Sequence, residues 1–232
     1  MRVSRWPSTA TQWRLVAVSF VLTPVCLLLA LGLLALAGPA TDTAIGTPLW
    51  HGTWISLLTG RAALVCGLAL YARQPLRGKR TTLARTAQGL ATLALAVGIA
   101  GYVVALYGPN LALLPGSEAA IAAGEGGVLA AIVAAVSGGL TLAGHLLVGG
   151  AVATLALSTA AQFLRVWAAL AGVAVGVTLV AVAAGGLLTI GQDSVVLSTT
   201  LALLAYCWVA GLGIVVRGRG REAVTSANST QE

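Results

Sequence analysis

Long apolar stretches, interrupted only by short polar segments, cover most of the chain. Between Leu15 and Gly60 the only Asp, Glu, Lys or Arg is Asp42, and residues 126–164 contain none of the four. Stretches of roughly 18 or more apolar residues are typical of helices that cross a lipid bilayer. The pattern therefore predicts an all-α protein, a polytopic transmembrane helix bundle.

The limits of five spans follow directly from where each apolar stretch begins and ends. A basic N-terminal segment, residues 1–14, precedes the first span. A Ser/Thr/Asn/Gln-rich segment, residues 217–232, follows the last one, and its composition predicts a disordered tail. Between these two segments we expect one transmembrane domain, residues 15–216, whose clear spans are residues 15–38, 54–71, 86–107, 166–190 and 195–216.

The stretch 128–163 is too long for one simple crossing. As a continuous helix it would measure about 54 Å, whereas the hydrocarbon core is about 30 Å thick. One crossing gives six spans, with residues 117–136 forming an outer-face or re-entrant helix. Two crossings give seven spans. The glycine pairs 138–139 and 149–150 are the possible breaks.

The distribution of basic residues predicts both the orientation and six spans. The chain has 13 Lys and Arg against 6 Asp and Glu, and five of the basic residues lie within 73–85. Basic residues favour the cytoplasmic side of a membrane. Residues 1–14, 73–85 and 217–221 are therefore predicted inside, so both termini are cytoplasmic. Residue 127 is then predicted outside and residue 165 inside. An odd number of crossings must connect them, which favours a single crossing.

Composition excludes a soluble fold. Only 8% of the residues are charged, against roughly 25% in soluble domains. Most of the basic residues that give the net charge of +7 lie near the ends of the spans. This position indicates contact with lipid and no nucleic-acid binding.

The first apolar stretch is longer than the roughly 7–15 residues of a signal peptide, which predicts an uncleaved helix. A single Lys among abundant Ala, Gly, Val and Arg favours a prokaryotic cytoplasmic membrane.

Arg61 is the strongest candidate for a functional group inside the membrane. It lies within the span 54–71, which would be too short to cross without it. A charged side chain at a helix centre costs roughly 2.5–3.5 kcal/mol on insertion scales, so it usually pairs or lines a wet cavity. We expect an ion pair with Glu125 or Asp193, or extension of the side chain to the outer headgroups. A contact to an anionic solute is the functional alternative.

His145 is the second candidate, because it lies alone in the apolar stretch 128–163. A membrane histidine can relay protons or bind a cofactor, but it is more often hydrogen-bonded to a neighbouring helix. His51 is the only other histidine and is predicted near the outer surface. No haem, metal or other cofactor is therefore expected.

Small residues spaced four apart form a stripe on the fifth predicted span. Such stripes allow helix backbones to approach closely. The contact can lie within the bundle or between copies of the chain, and partner subunits or a homo-oligomer remain open. The stripe consists of Ala168, Gly172 and Gly176.

The chain lacks the motifs of several enzyme classes, namely GxxxxGK[ST], HExxH and GxSxG. No catalytic residue is predicted. Two functions remain: a small-solute permease or membrane subunit of a transporter, and a non-catalytic accessory or assembly subunit of a membrane complex. A polar cavity shared by Arg61 and His145 would favour transport. An Arg61 that faces lipid headgroups above a dry interior would favour the accessory function.

Overall fold

A computed structural model of the chain describes residues 9–37, 48–74, 79–111, 126–160, 164–189 and 192–228. These residues form six long helices, and the prediction of an all-α fold is confirmed. The helices are α1 (Thr9–Ala37), α2 (Pro48–Ala72), α3 (Lys79–Leu111), α4 (Gly126–Thr159), α5 (Val166–Thr189) and α6 (Gln192–Asn228).

Each helix contains a segment long and apolar enough to cross a membrane, which gives six candidate spans in the described part of the chain. The chain is thus a multi-pass membrane protein, as predicted. The spans are Thr11–Leu36, Pro48–Ala72, Lys79–Leu106, Ala135–Thr159, Val166–Thr189 and Ser194–Gly218.

Helix α4 differs from the sequence-based expectation. Residues 126–136 were expected in a separate outer-face or re-entrant helix, yet they form the first turns of the same helix that crosses. The glycine pairs 138–139 and 149–150 do not interrupt this helix. In an apolar surrounding a broken helix leaves backbone groups unsatisfied, so glycine there does not end a helix as it does in water. Residues 117–125 lie outside the described part.

Two other helix limits also differ from those expected. Helix α2 begins at Pro48, whereas its span was expected from Trp54; proline suits a first helical position because its missing N–H has no partner there anyway. Helix α6 continues to Asn228 through most of the segment expected to be disordered. Adding residues to an existing helix costs far less than nucleating one.

The helices form a closed ring in chain order, and α4 also packs against α6 across it. We call the end of the ring that holds Ala72 and Lys79 the inner end, since the sequence predicts it to be cytoplasmic, and the opposite end the outer end. The inner half is tightly packed. Its fully buried large side chains include Phe20, Leu64, Leu68, Tyr71, Leu155 and Val209.

The small-residue stripe on α5 packs within the bundle. A Cβ atom on Gly176 would lie 2.6 Å from the carbonyl oxygen of Gly149 on α4. A Cβ on Gly172 would meet the Trp208 ring. The Trp208 Nε1–H donates a hydrogen bond of 2.9 Å to the carbonyl of Ala168. The stripe therefore brings α5 against both α4 and α6.

Candidate functional site

Arg61 points into the bundle from the middle of α2. Only 8% of the residue is exposed. Its Nη1 donates a hydrogen bond of 3.2 Å to the carbonyl oxygen of Ala94 on α3. Because α2 begins at Pro48, Arg61 lies deeper in its span than the sequence indicated. The described geometry thus shows a guanidinium directed between helices and not extended towards an outer headgroup.

Two glycines make room for this guanidinium. A Cβ on Gly98 of α3 would overlap Arg61 Nη1, and one on Gly144 of α4 would lie 2.8 Å from Nη2. Real Cβ atoms do not approach other heavy atoms so closely. The planar group therefore lies against the bare backbones of α3 and α4, a position that any larger residue at 98 or 144 would obstruct.

A second set of polar side chains from α4 and α6 surrounds Arg61. The guanidinium donates a hydrogen bond to the Tyr206 hydroxyl, and His145 lies close enough to the guanidinium to interact with its charge. His145 Nδ1 and the Ser198 hydroxyl are 2.9 Å apart. Both His145 and Tyr206 are buried. Helices α2, α3, α4 and α6 thus each contribute to one polar cluster inside an otherwise apolar bundle.

Arg61 and His145 both line one cavity of about 260 Å³, enclosed by α1, α2, α3, α4 and α6. Its lining lies at the level of Arg61 and in the outer half of the bundle, whereas the inner half below is packed. Most of the wall residues are apolar, and three threonines and two tryptophans are among them. The wall includes Leu27, Leu57, Leu140, Thr141, Trp50 and Trp54.

The outer part of the cavity adjoins an aromatic cluster. The Tyr102 ring lies 6.1 Å from that of Trp50 and 5.8 Å from that of Trp54, measured between centroids. His51 Nδ1 is 3.1 Å from the Tyr102 hydroxyl. The two histidines thus have different partners, since His145 is bonded to Ser198 on α6.

The structure brings together the two residues that the sequence singled out, Arg61 and His145. The two expected ion-pair partners are not among the described groups: Glu125 lies outside the described residues, as does the side chain of Asp193. The sequence did not indicate Gly98, Gly144 or Ser198. Tyr206 is the one of these site residues with a recognisable sequence feature, because it is an aromatic residue in the middle of a span.

The chemistry available at the cluster is that of a fixed cation. A guanidinium carries five N–H donors and stays protonated, so it suits carboxylates and other oxyanions. Within the described residues no three His, Cys, Asp or Glu side chains group as metal ligands would. Comparisons of the chain with models of protein families, with curated proteins and with solved structures find no match.

Proposed function

We propose that this multi-pass membrane protein is a small-solute permease, or the membrane subunit of a transporter, and that Arg61 contacts the solute. The observation that carries the proposal is the cavity shared by Arg61 and His145 at mid-span. Transport proteins place solute sites near the middle of the bilayer, on charged groups that face the bundle interior. The proposed location is the cytoplasmic membrane of a prokaryote, with both termini inside.

The closed inner half fits one state of an alternating-access cycle. Phe20 of α1 fits against two glycines there: a Cβ on Gly67 of α2 would lie 2.6 Å from its ring, and one on Gly213 of α6 would lie 3.0 Å from its Cβ. Phe20 itself is fully buried. Release of a solute at the inner end would require α1 to move away from both helices, as in rocking of one part of a bundle against another.

The test is uptake into proteoliposomes that contain the purified full-length chain. The external probe is a defined mixture of organic acids, amino acids, sugars and nucleosides, and the contents of the vesicles are measured by mass spectrometry. We expect at least one solute to enter with the wild-type chain and to be lost with Arg61→Met. Arg85→Met is the matched control, because Arg85 is exposed and four other basic residues remain in its segment.

The tight packing of the inner half also favours a second function, that of a non-catalytic accessory subunit. Large apolar side chains such as Leu188 and Trp167 on α5 are exposed on the outside of the ring, where lipid or another subunit can cover them. Equal solute contents in vesicles with and without protein would overturn the permease proposal and leave this one.

A further inference from the structure

We infer that the cavity binds a small organic monocarboxylate, with its carboxylate on the Arg61 guanidinium and its apolar part along the wall towards Trp50 and Trp54. This inference deepens the proposed function and rests on it, since the bound carboxylate would be the solute. Three observations carry it: a buried guanidinium that lines the cavity, an apolar wall, and a limited volume.

A bound anion would balance the charge of Arg61. Its described partners, the Ala94 carbonyl and the Tyr206 hydroxyl, are neutral. A buried charge without compensation is costly, and arginine does not relieve the cost by losing its proton. All six acidic side chains of the sequence lie outside the described part.

The depth of Arg61 argues against Glu125 as its ion-pair partner. Helix α4 begins at Gly126, which the helical rise places about 27 Å along the axis from Gly144, beside the guanidinium. This separation far exceeds the reach of the Glu125 side chain. An anion from solution is not tied to a helix and meets no such limit.

The wall and the volume define the rest of the ligand. Leucines such as Leu27, Leu57 and Leu140 favour hydrocarbon, and the indole rings favour a flat apolar group. The volume of about 260 Å³ is below the roughly 300–1,000 Å³ of pockets for drug-sized ligands. Arg61 is the only permanently charged side chain in the described lining, so it balances a single negative charge. A small monocarboxylate meets all three conditions.

The experiment measures equilibrium binding to the full-length protein in lipid nanodiscs. The probe is radiolabelled benzoate, followed by scintillation proximity and displaced by unlabelled competitors. We expect benzoate and hexanoate to compete. Four other compounds should compete at least about tenfold more weakly: the neutral isostere benzamide and the anions acetate, chloride and phosphate. Each of them lacks either the charge or the apolar part, or carries the wrong charge.

Variants then assign the contact. Arg61→Met should weaken benzoate binding roughly tenfold or more, and Arg61→Lys less, since an ammonium keeps the charge but loses the planar fork. Leu140→Gln should reduce the ratio of the affinity for benzoate to the affinity for acetate, although Arg61 is unchanged in this variant. Arg85→Met should bind as the wild type does. Thermal unfolding of each variant shows that it is folded, and Leu140→Gln tests the site without altering Arg61.

Each outcome distinguishes the inference from the proposed function. Benzoate binding that survives in folded Arg61→Met, or equal competition by benzamide, overturns the carboxylate site. Equal competition by chloride shows a site for inorganic anions and also overturns it. Benzoate binding without uptake into vesicles supports the binding site but overturns the permease. Uptake of solutes that do not displace benzoate supports the permease and overturns the ligand class.

Discussion

Replacing Gly98 with alanine places a methyl group where Arg61 Nη1 now lies. The guanidinium is planar and held between α3 and α4, so it must withdraw or the helices must separate. Withdrawal breaks its hydrogen bond to the Ala94 carbonyl, one turn away on the same helix. We therefore expect Gly98→Ala to destabilise the bundle and to displace Arg61 from the cavity floor.

The magnitude follows from three contributions. Overpacking a filled interior costs about 1–3 kcal/mol. A lost hydrogen bond to a charged group costs about 1.5–3 kcal/mol, although measured values within membranes average about 0.6 kcal/mol. Alanine regains about 1 kcal/mol over glycine in a helix interior. The net destabilisation expected for Gly98→Ala is on the order of 2 kcal/mol.

The assay is unfolding in bicelles, measured for single and double variants. Gly89→Ala on the same helix is the matched control, because nothing lies within 4 Å of its added Cβ, and we expect it to be neutral or slightly stabilising. In an Arg61→Met background the side chain at position 61 is flexible and has no guanidinium. The loss of stability caused by Gly98→Ala should therefore largely disappear. The reasoning is refuted if Gly98→Ala and Gly89→Ala unfold alike, or if the Gly98→Ala cost persists without Arg61.

Contacts of α5 give two further predictions, both read from thermal unfolding in detergent. Gly176→Ala should cost about 2–3 kcal/mol of stability, because its Cβ would meet the backbone of Gly149, which cannot rotate away. Gly185→Ala is the control, because the space around its Cβ is open. Equal melting temperatures of the two variants would contradict the close approach of α4 and α5. Trp208→Phe should cost about 0.6–1 kcal/mol through loss of the hydrogen bond to Ala168, and an unchanged stability would show that this bond contributes nothing.

The helical membrane fold was predictable because it depends on quantities that are local in sequence. Span length and apolar content decide whether a segment crosses a bilayer, and no tertiary contact is needed to evaluate them. The limits of the elements were less predictable. The glycine pairs in 128–163 suggested a break, yet α4 is continuous, because a helix in an apolar surrounding keeps its backbone hydrogen bonds even through glycine.

For the site, the sequence by itself determined that Arg61 and His145 are polar groups within apolar stretches and must find partners there. Which partners they find was decided by the tertiary structure alone. Ser198 and Tyr206 come from a helix more than 130 residues beyond Arg61, and Gly98 and Gly144 matter only because a guanidinium lies against them. Periodicity and composition describe one helix at a time, whereas a site on the bundle axis depends on how five helices are rotated against each other.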